Sequence, residues 1–310
     1  MDEGRYRAAE RRLWEWVGVT PTEQRLHLER TDVTVRVQEV GEGVPVVFVH
    51  GASISGSSWA TLTGGLTHFR CIVLDRPGTG LSDPLDMPLT PDTLPGVGDS
   101  LLVDVLDALE LESAHLVATS FGGYFALRAA AAHPARIGRM VQFSWPVGAP
   151  ISRVPMIMRM SAVPLAGRLV ALLPPSEWMI RMGFRQIGHA ESLESGRISQ
   201  EIIDWFLALQ CHTDTTRQES RLTRGLLSFR HGLDDRILLS DQFLSTIRTP
   251  TRFIWGELDP FGGAATARRL VDCMPNAEFE IFEGAGHAPW LDDVERATKS
   301  VTTYLQGSVV

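Results

Sequence analysis

The sequence predicts a doubly wound, mostly parallel α/β sheet with an inserted helical layer. Three observations carry this. Apolar, β-branched runs recur along the chain, and several end in glycine-rich loops. Segments of helical character separate them, the pattern of a parallel sheet with crossover helices. The alternation breaks once, from about residue 147 to 236, where no clear strand pattern is found and proline-broken helical segments take over.

The elements follow in order. Residues 5–17 place Tyr6, Ala9, Leu13 and Val17 at helical spacing among arginines and glutamates, so an amphipathic helix over about 4–17 is expected to pack on the body. "RLHLER" and "VTVRVQEV" alternate like two half-buried strands. "VPVVFVHG" is a continuous apolar run, the mark of a strand buried on both faces. "CIVLDRPGTG", "AHLVATS", "IGRMVQFSW", "TRFIWGELD" and "AEFEIFEGAGH" repeat the form, with helical stretches at 99–111, 121–133 and 264–274. The core is therefore assigned to 1–146 and 237–310, and a helical insertion over the carboxyl edge of the sheet to 147–236.

In that segment Pro155, Pro164, Pro174 and Pro175 break the helices, with starts expected near Ser176 and Ser199. It holds five of the nine methionines: Met156, Met158, Met160, Met179 and Met182. They read as core filling or as an adaptable apolar wall over a pocket. Eleven arginines against nine acids give the segment no strong preference for a charged substrate.

The chain has 310 residues, 44% hydrophobic and 21% charged, which suits one large α/β domain with an insertion. A net charge of -8 without a basic block argues against nucleic acid as a partner. Cys71, Cys211 and Cys273 are far apart and odd in number, as expected of reduced thiols. The charged start "MDEGRYRAAERRLWEW" lacks the apolar core of a signal peptide, and no run approaches 18 apolar residues. A cytoplasmic protein without a membrane span is expected.

"LVATSFGGYF" carries the chemistry. Ser120 stands between a strand and a helix, where a tight turn strains its backbone and exposes its oxygen at the top of the sheet. Such a turn needs small neighbours, and Gly122 and Gly123 provide them. Ala118 stands where glycine is usual and adds one methyl. A serine hydroxyl needs a base and a group that orients the base. Asp259 follows "FIWGEL" and His287 follows "FEGAG", both just beyond buried strands and in the order serine, acid, histidine. The oxyanion donors are expected to be the backbone N–H groups of Phe121 and of Ala52 or Ser53. His50 reads as a brace for that loop.

These motifs resemble the α/β-hydrolase superfamily, in its capped serine-hydrolase branch of small-molecule esterases and carbon–carbon bond hydrolases. The resemblance spans almost the whole chain through "HGAS" at 50–53, "DRPGTGLSD" at 75–83, "ATSFGG" at 118–123, "WGELDPFGG" at 255–263 and "GAGHAP" at 284–289. It implies an α/β-hydrolase fold, a cap at 147–236 and a structural role for the "DRPGTGLS" loop. Serine at 120 sets the chain apart from dehalogenases and epoxide hydrolases, which use aspartate there. Ring-fission-product hydrolases usually carry asparagine before the serine and tryptophan after the histidine, where this chain has Thr119 and Ala288.

The expected function is a serine hydrolase that opens an ester or lactone, or another acyl bond, of a small and mostly apolar molecule through an acyl-enzyme. No metal or organic cofactor is implied. Ser53, Trp145 and Trp290 are candidate pocket residues, the tryptophans with core packing as their other reading; Trp178 and Trp205 in the cap carry the same two readings. The alternatives are a non-hydrolytic acyl transfer, cyclisation or lyase reaction, a C–C bond hydrolase, and a ligand-binding protein with little turnover.

Overall fold

The computed structural model describes residues 2–149, 174–228 and 232–307. The first helix, α1 (Glu3–Val17), is capped by Asp2, whose side chain accepts the Arg5 N–H, and ends at Gly18 in the left-handed conformation. Then come β1 (Thr22–Leu28), β2 (Val33–Val40), β3 (Pro45–Val49), α2 (Ala60–Gly64), β4 (Arg70–Leu74), α3 (Leu94–Ala108), β5 (Ala114–Thr119), α4 (Ser120–Ala132) and β6 (Ile137–Phe143). A helical layer follows: α5 (Glu177–Gln186), α6 (Ala190–Glu194), α7 (Gln200–His212) and α8 (Thr215–Leu226). Ser176 and Ser199 cap α5 and α7, accepting the N–H groups of Met179 and Ile202, at the starts the sequence suggested. Pro155, Pro164, Met156, Met158 and Met160 lie outside the described residues.

A two-residue ladder of β7 (Leu227–Ser228) with β8 (Gly232–Leu233) corrects the expectation of a strandless insertion. It is too short to show as a periodic pattern. The chain returns to the core with β9 (Thr251–Gly256), α9 (Ala264–Cys273), β10 (Ala277–Phe282) and α10 (Val294–Gln306).

Eight strands form one sheet in the order β1-β2-β4-β3-β5-β6-β9-β10. The six from β4 to β10 run parallel, and β2 is antiparallel to both β1 and β4. From β3 the chain first winds to β4, then crosses back to β5 on the other side. Ligands of open parallel sheets bind beyond the carboxyl ends of strands at such a reversal. The loop after β3 and the turn after β5 therefore meet there.

β2 departs from the half-buried reading. Its polar residues Arg36 and Gln38 are as buried as its valines. Arg36 is met by Glu10 of α1, also buried, and Gln38 accepts a hydrogen bond from Ser57 in the loop after β3. Arg36 donates to both Glu10 oxygens at 2.9 and 2.5 Å, to Glu23 at 2.8 Å and to Asp75 at 3.2 Å. Tyr6 OH donates to Glu10 at 2.8 Å and lies 3.0 Å from Ser55 Oγ, while Ser57 Oγ donates to Glu10 at 2.6 Å. Burial pushes the Asp75 carboxyl up against the pull of Arg36. Burial acts the same way on Glu23, but Arg7 and Arg36 outweigh it and bring that carboxyl down to about 2. The network ties α1 to the loop that leads into the site.

The three cysteines are unpaired, and burial pushes the Cys71 thiol up to about 12. Among the described residues no helix is long and apolar enough to cross a membrane. Arg36→Ala would leave Glu10 and Asp75 buried without their cation. A loss of about 3–5 kcal/mol in chemical denaturation is expected.

Candidate active site

Strand β5 ends in extended Thr119, and Ser120 turns into the left-handed region at φ +50° before α4 runs on. A non-glycine residue there is strained and is held by its surroundings. Val147 N–H donates to the Ser120 carbonyl at 3.0 Å, and Thr119 Oγ1 donates to the Phe143 carbonyl at 3.1 Å. A Cβ at Gly122 would sit 2.1 Å from the Val49 carbonyl oxygen, and one at Gly123 would sit 2.3 Å from Gln142 Oε1. Ala118 is buried in the core beside Leu116 and Val49 and does not line the cavity at Ser120. Its methyl therefore leaves the turn intact.

Asp259 follows β9, and its side chain is fully buried. Its Oδ1 accepts the Phe261 N–H at 2.9 Å, and its Oδ2 accepts the Trp145 N–H at 3.3 Å. Oδ2 also lies 3.0 Å from Nδ1 of His287, which follows β10. A carboxylate there accepts the hydrogen bond of Nδ1–H, so the proton stays on Nδ1 and Nε2 carries the lone pair. Phe261 packs edge-on against the His287 ring at 4.6 Å.

Ser120 and His287 line one cavity of about 160 Å³, together with Gly51, Ala52 and Thr119. The helical layer contributes Phe184, Ile187, Ile202, Trp205 and Phe206, and α1 contributes Leu13. Trp290 closes another side, stacked on Trp59 at 4.2 Å with its Nε1–H on the Ser58 carbonyl. No lysine or arginine lines the cavity among the described residues.

The other candidates lie elsewhere. Trp145 is not in the cavity wall: its ring stacks on Phe261, its Nε1–H donates to the Ala149 carbonyl, and its backbone holds Asp259. Ser53 is exposed, at φ +61°, and its N–H donates to Glu219 at 3.1 Å. That bond engages one of the two alternatives for the loop's oxyanion donor; the other, Ala52, lines the cavity. Phe121 N–H stands at the start of α4, where helix N–H groups have no partner in their own helix. The half-buried Met179 and Met182 are not in the cavity wall, and Trp178 is exposed.

Two groups escaped sequence reasoning. Arg76 is buried and donates to the carbonyls of His50 and Gly51; its Nη2 also pairs with Glu219 at 3.0 Å. Glu219 lies on α8, 166 residues from the Ser53 N–H that it holds, so no spacing connects them. His50 Nε2 accepts the Arg76 N–H at 3.0 Å, and burial, with Arg76 beside it, holds its pKa well below the usual range. It braces the loop as a neutral ring. No group of three His, Cys, Asp or Glu side chains among the described residues is arranged to hold a metal ion.

The sequence profile of the Alpha/beta hydrolase family matches residues 46–298. The chain belongs to that family. It is 27% identical over 287 residues to a 2-hydroxy-6-oxononadienedioate/2-hydroxy-6-oxononatrienedioate hydrolase of Paraburkholderia phymatum, covering 89% of this chain and 92% of that one. A hydrolase of the same name from Cupriavidus pinatubonensis is 28% identical, covering 84% and 86%. Among solved structures, the fold is shared with a Bacillus subtilis carboxylesterase at TM-score 0.74, with 20% identity and 99% of both chains covered. It is also shared with the 2-hydroxy-6-oxo-6-phenylhexa-2,4-dienoate hydrolase of Rhodococcus sp. strain RHA1 at TM-score 0.76, with 19% identity, covering 93% of this chain and all of that one. In this α/β hydrolase the turn at Ser120 rests on the contact at Gly122. Gly122→Ala would drive a methyl into two backbone carbonyls, and a fall in stability of about 1–3 kcal/mol or more is expected in thermal unfolding.

Proposed function

We propose that this α/β hydrolase is a serine-nucleophile enzyme that opens an ester or lactone bond of a small, uncharged, mostly apolar molecule. The observation that carries the reading is the shared cavity: Ser120, in its strained turn, and His287, with Nδ1 on Asp259, stand in the same apolar wall. In the proposed cycle His287 Nε2 takes the Ser120 proton as the oxygen attacks the carbonyl. Asp259 holds the tautomer and stabilises the imidazolium. The N–H groups of Ala52 and Phe121 receive the developing oxyanion. His287 then gives its proton to the leaving alcohol, and a water activated by His287 releases the acid.

The cavity sets the scale of the substrate. A space of about 150 Å³ lined by aliphatic and aromatic side chains takes up a benzene-sized guest. We assign residues 147–236 as the cap, with Phe184, Ile202 and Trp205 as its wall over the acyl or alkyl group. Leu13 makes α1 part of the same wall. Leu13→Phe is expected to shift the kcat/KM ratio between butyrate and acetate esters on the order of tenfold toward acetate, measured with p-nitrophenyl esters.

Carbon–carbon bond hydrolysis is the second reading, favoured by the relatives' names. Their substrates, as named, carry no ester, so water must cleave a C–C bond. They are also dicarboxylates, whereas the described wall holds no lysine or arginine to meet a carboxylate.

Fluorophosphonate labelling with mass-spectrometric location of the adduct tests the nucleophile. An adduct at Ser120, absent in Ser120→Ala and slowed in His287→Ala, is expected. Each substitution should lower kcat on order of 10⁴-fold or more. A folded chain that takes no label at Ser120 rejects the reading. Labelling without turnover of any simple ester would transfer it to the C–C or non-hydrolytic class.

A further inference from the structure

The loop that carries His287 is held through three consecutive backbone N–H groups. Gly286 N–H donates to Asp292 Oδ2 at 2.8 Å, His287 N–H to the Ile187 carbonyl at 2.8 Å, and Ala288 N–H to His189 Nε2 at 3.1 Å. Two of the three acceptors belong to residues 187–189, which join α5 to α6 in the helical layer. The approach is close enough to require glycine on both sides. A Cβ at Gly286 would lie 2.5 Å from the Ile187 carbonyl oxygen and 2.8 Å from His189 Cε1. Gly188 adopts φ +94°, and a Cβ there would lie 2.8 Å from Gly286 Cα.

His189 itself has no exposed surface. Because Nε2 accepts a backbone N–H, it carries no proton, and the ring proton is on Nδ1. Nδ1 donates to Asp292 Oδ1 at 2.9 Å, an oxygen that also accepts from Ser192 Oγ at 2.5 Å. The Phe184 ring, part of the cavity wall, packs edge-on to the imidazole at 6.0 Å. The arrangement copies the one at His287: a carboxylate fixes the tautomer and leaves the other nitrogen as an acceptor. Here the acceptor serves a backbone N–H and not a reacting proton.

We infer that His189 is a positioning residue for the base: its neutral Nε2 fixes the loop at Ala288 and so sets the distance from the His287 ring to Ser120. A misplacement of about 1 Å at a reacting group can lower a rate on the order of 100-fold. A buried histidine that only filled space would not depend on which nitrogen finds a partner. The inference rests on the reading of Ser120 and His287 given above.

Two substitutions in the full-length chain separate the two nitrogens. His189→Asn keeps a polar group near Nδ1 for Asp292 and removes the acceptor for Ala288. His189→Gln keeps an oxygen near Nε2 and loses the partner of Asp292. The readout is the rate of fluorophosphonate attachment at Ser120, resolved into its saturating rate and half-saturation concentration, with Tm measured beside it. The asparagine variant is expected to lose roughly 10–100-fold in the saturating rate with the half-saturation concentration unchanged, and glutamine to restore it to within about threefold. Asparagine labelling as fast as wild type overturns the inference, as does an equal loss in both variants at unchanged Tm. A wild-type chain that takes no label overturns this inference and the nucleophile assignment together. If the asparagine variant does not fold, glutamine decides alone: retention within about threefold supports the inference, and a loss above tenfold at unchanged Tm overturns it.

Discussion

Helix α4 begins so close to strand β3 that the Val49 carbonyl fills the place where a side chain at residue 122 would stand. The contact dictates the geometry around it. To bring the helix that near, the chain must reverse within one residue, and Ser120 takes the left-handed conformation to do so. The same closeness brings the first turn of the helix, whose N–H groups have no partner in their own helix, beside the loop at Gly51 and Ala52. Strained hydroxyl, helix start and loop thus converge on one point of the sheet, where the strand order reverses.

Polar ties reach this point from both flanks. Arg76 and Glu219 fasten the loop after β3 to α8, while Ile187 and His189 fasten the loop after β10 to the segment between α5 and α6. A third tie runs from Arg36 through Glu10 of α1 to Ser57 in the loop after β3. Buried charges of this kind are costly to desolvate and are weak sources of net stability. Their value lies in geometry, since each charge has few places where its partners can all be met. The ties keep the loops on either side of the apolar wall in register.

Much of this was legible in the sequence. Strand runs ending in glycine loops set the order of Ser120, Asp259 and His287, and the capping serines at 176 and 199 marked two helix starts. Short-range rules carry such features, because a turn or a cap is made by neighbours. Glu10 defeated the same rules. Its charge would assign it to solvent, yet it sits on the buried face of α1 with Tyr6, Ala9 and Leu13, where Arg36, Tyr6 and Ser57 all meet its carboxylate. Trp145 and Ser53 were placed at the right end of the sheet, but the Trp145 ring stacks on Phe261 and Ser53 is exposed, and neither lines the cavity. Glu219 and His189 left no local signal, since their partners lie 166 and 99 residues away.

The placement of α1 has a consequence for the birth of the molecule. Asp2 N–H bonds to the His212 carbonyl, and the Leu13 side chain shares a wall with Ile202 and Trp205. A ribosome adds about 5–20 residues each second, so some 200 residues separate the emergence of α1 from that of its last partners by roughly 10–40 s. Over that interval the apolar side of Tyr6, Leu13 and Trp14 has no complete surface to lie on. A helix made before every strand of the sheet is seated only once the helical layer arrives, and the nascent chain must keep it from other partners until then.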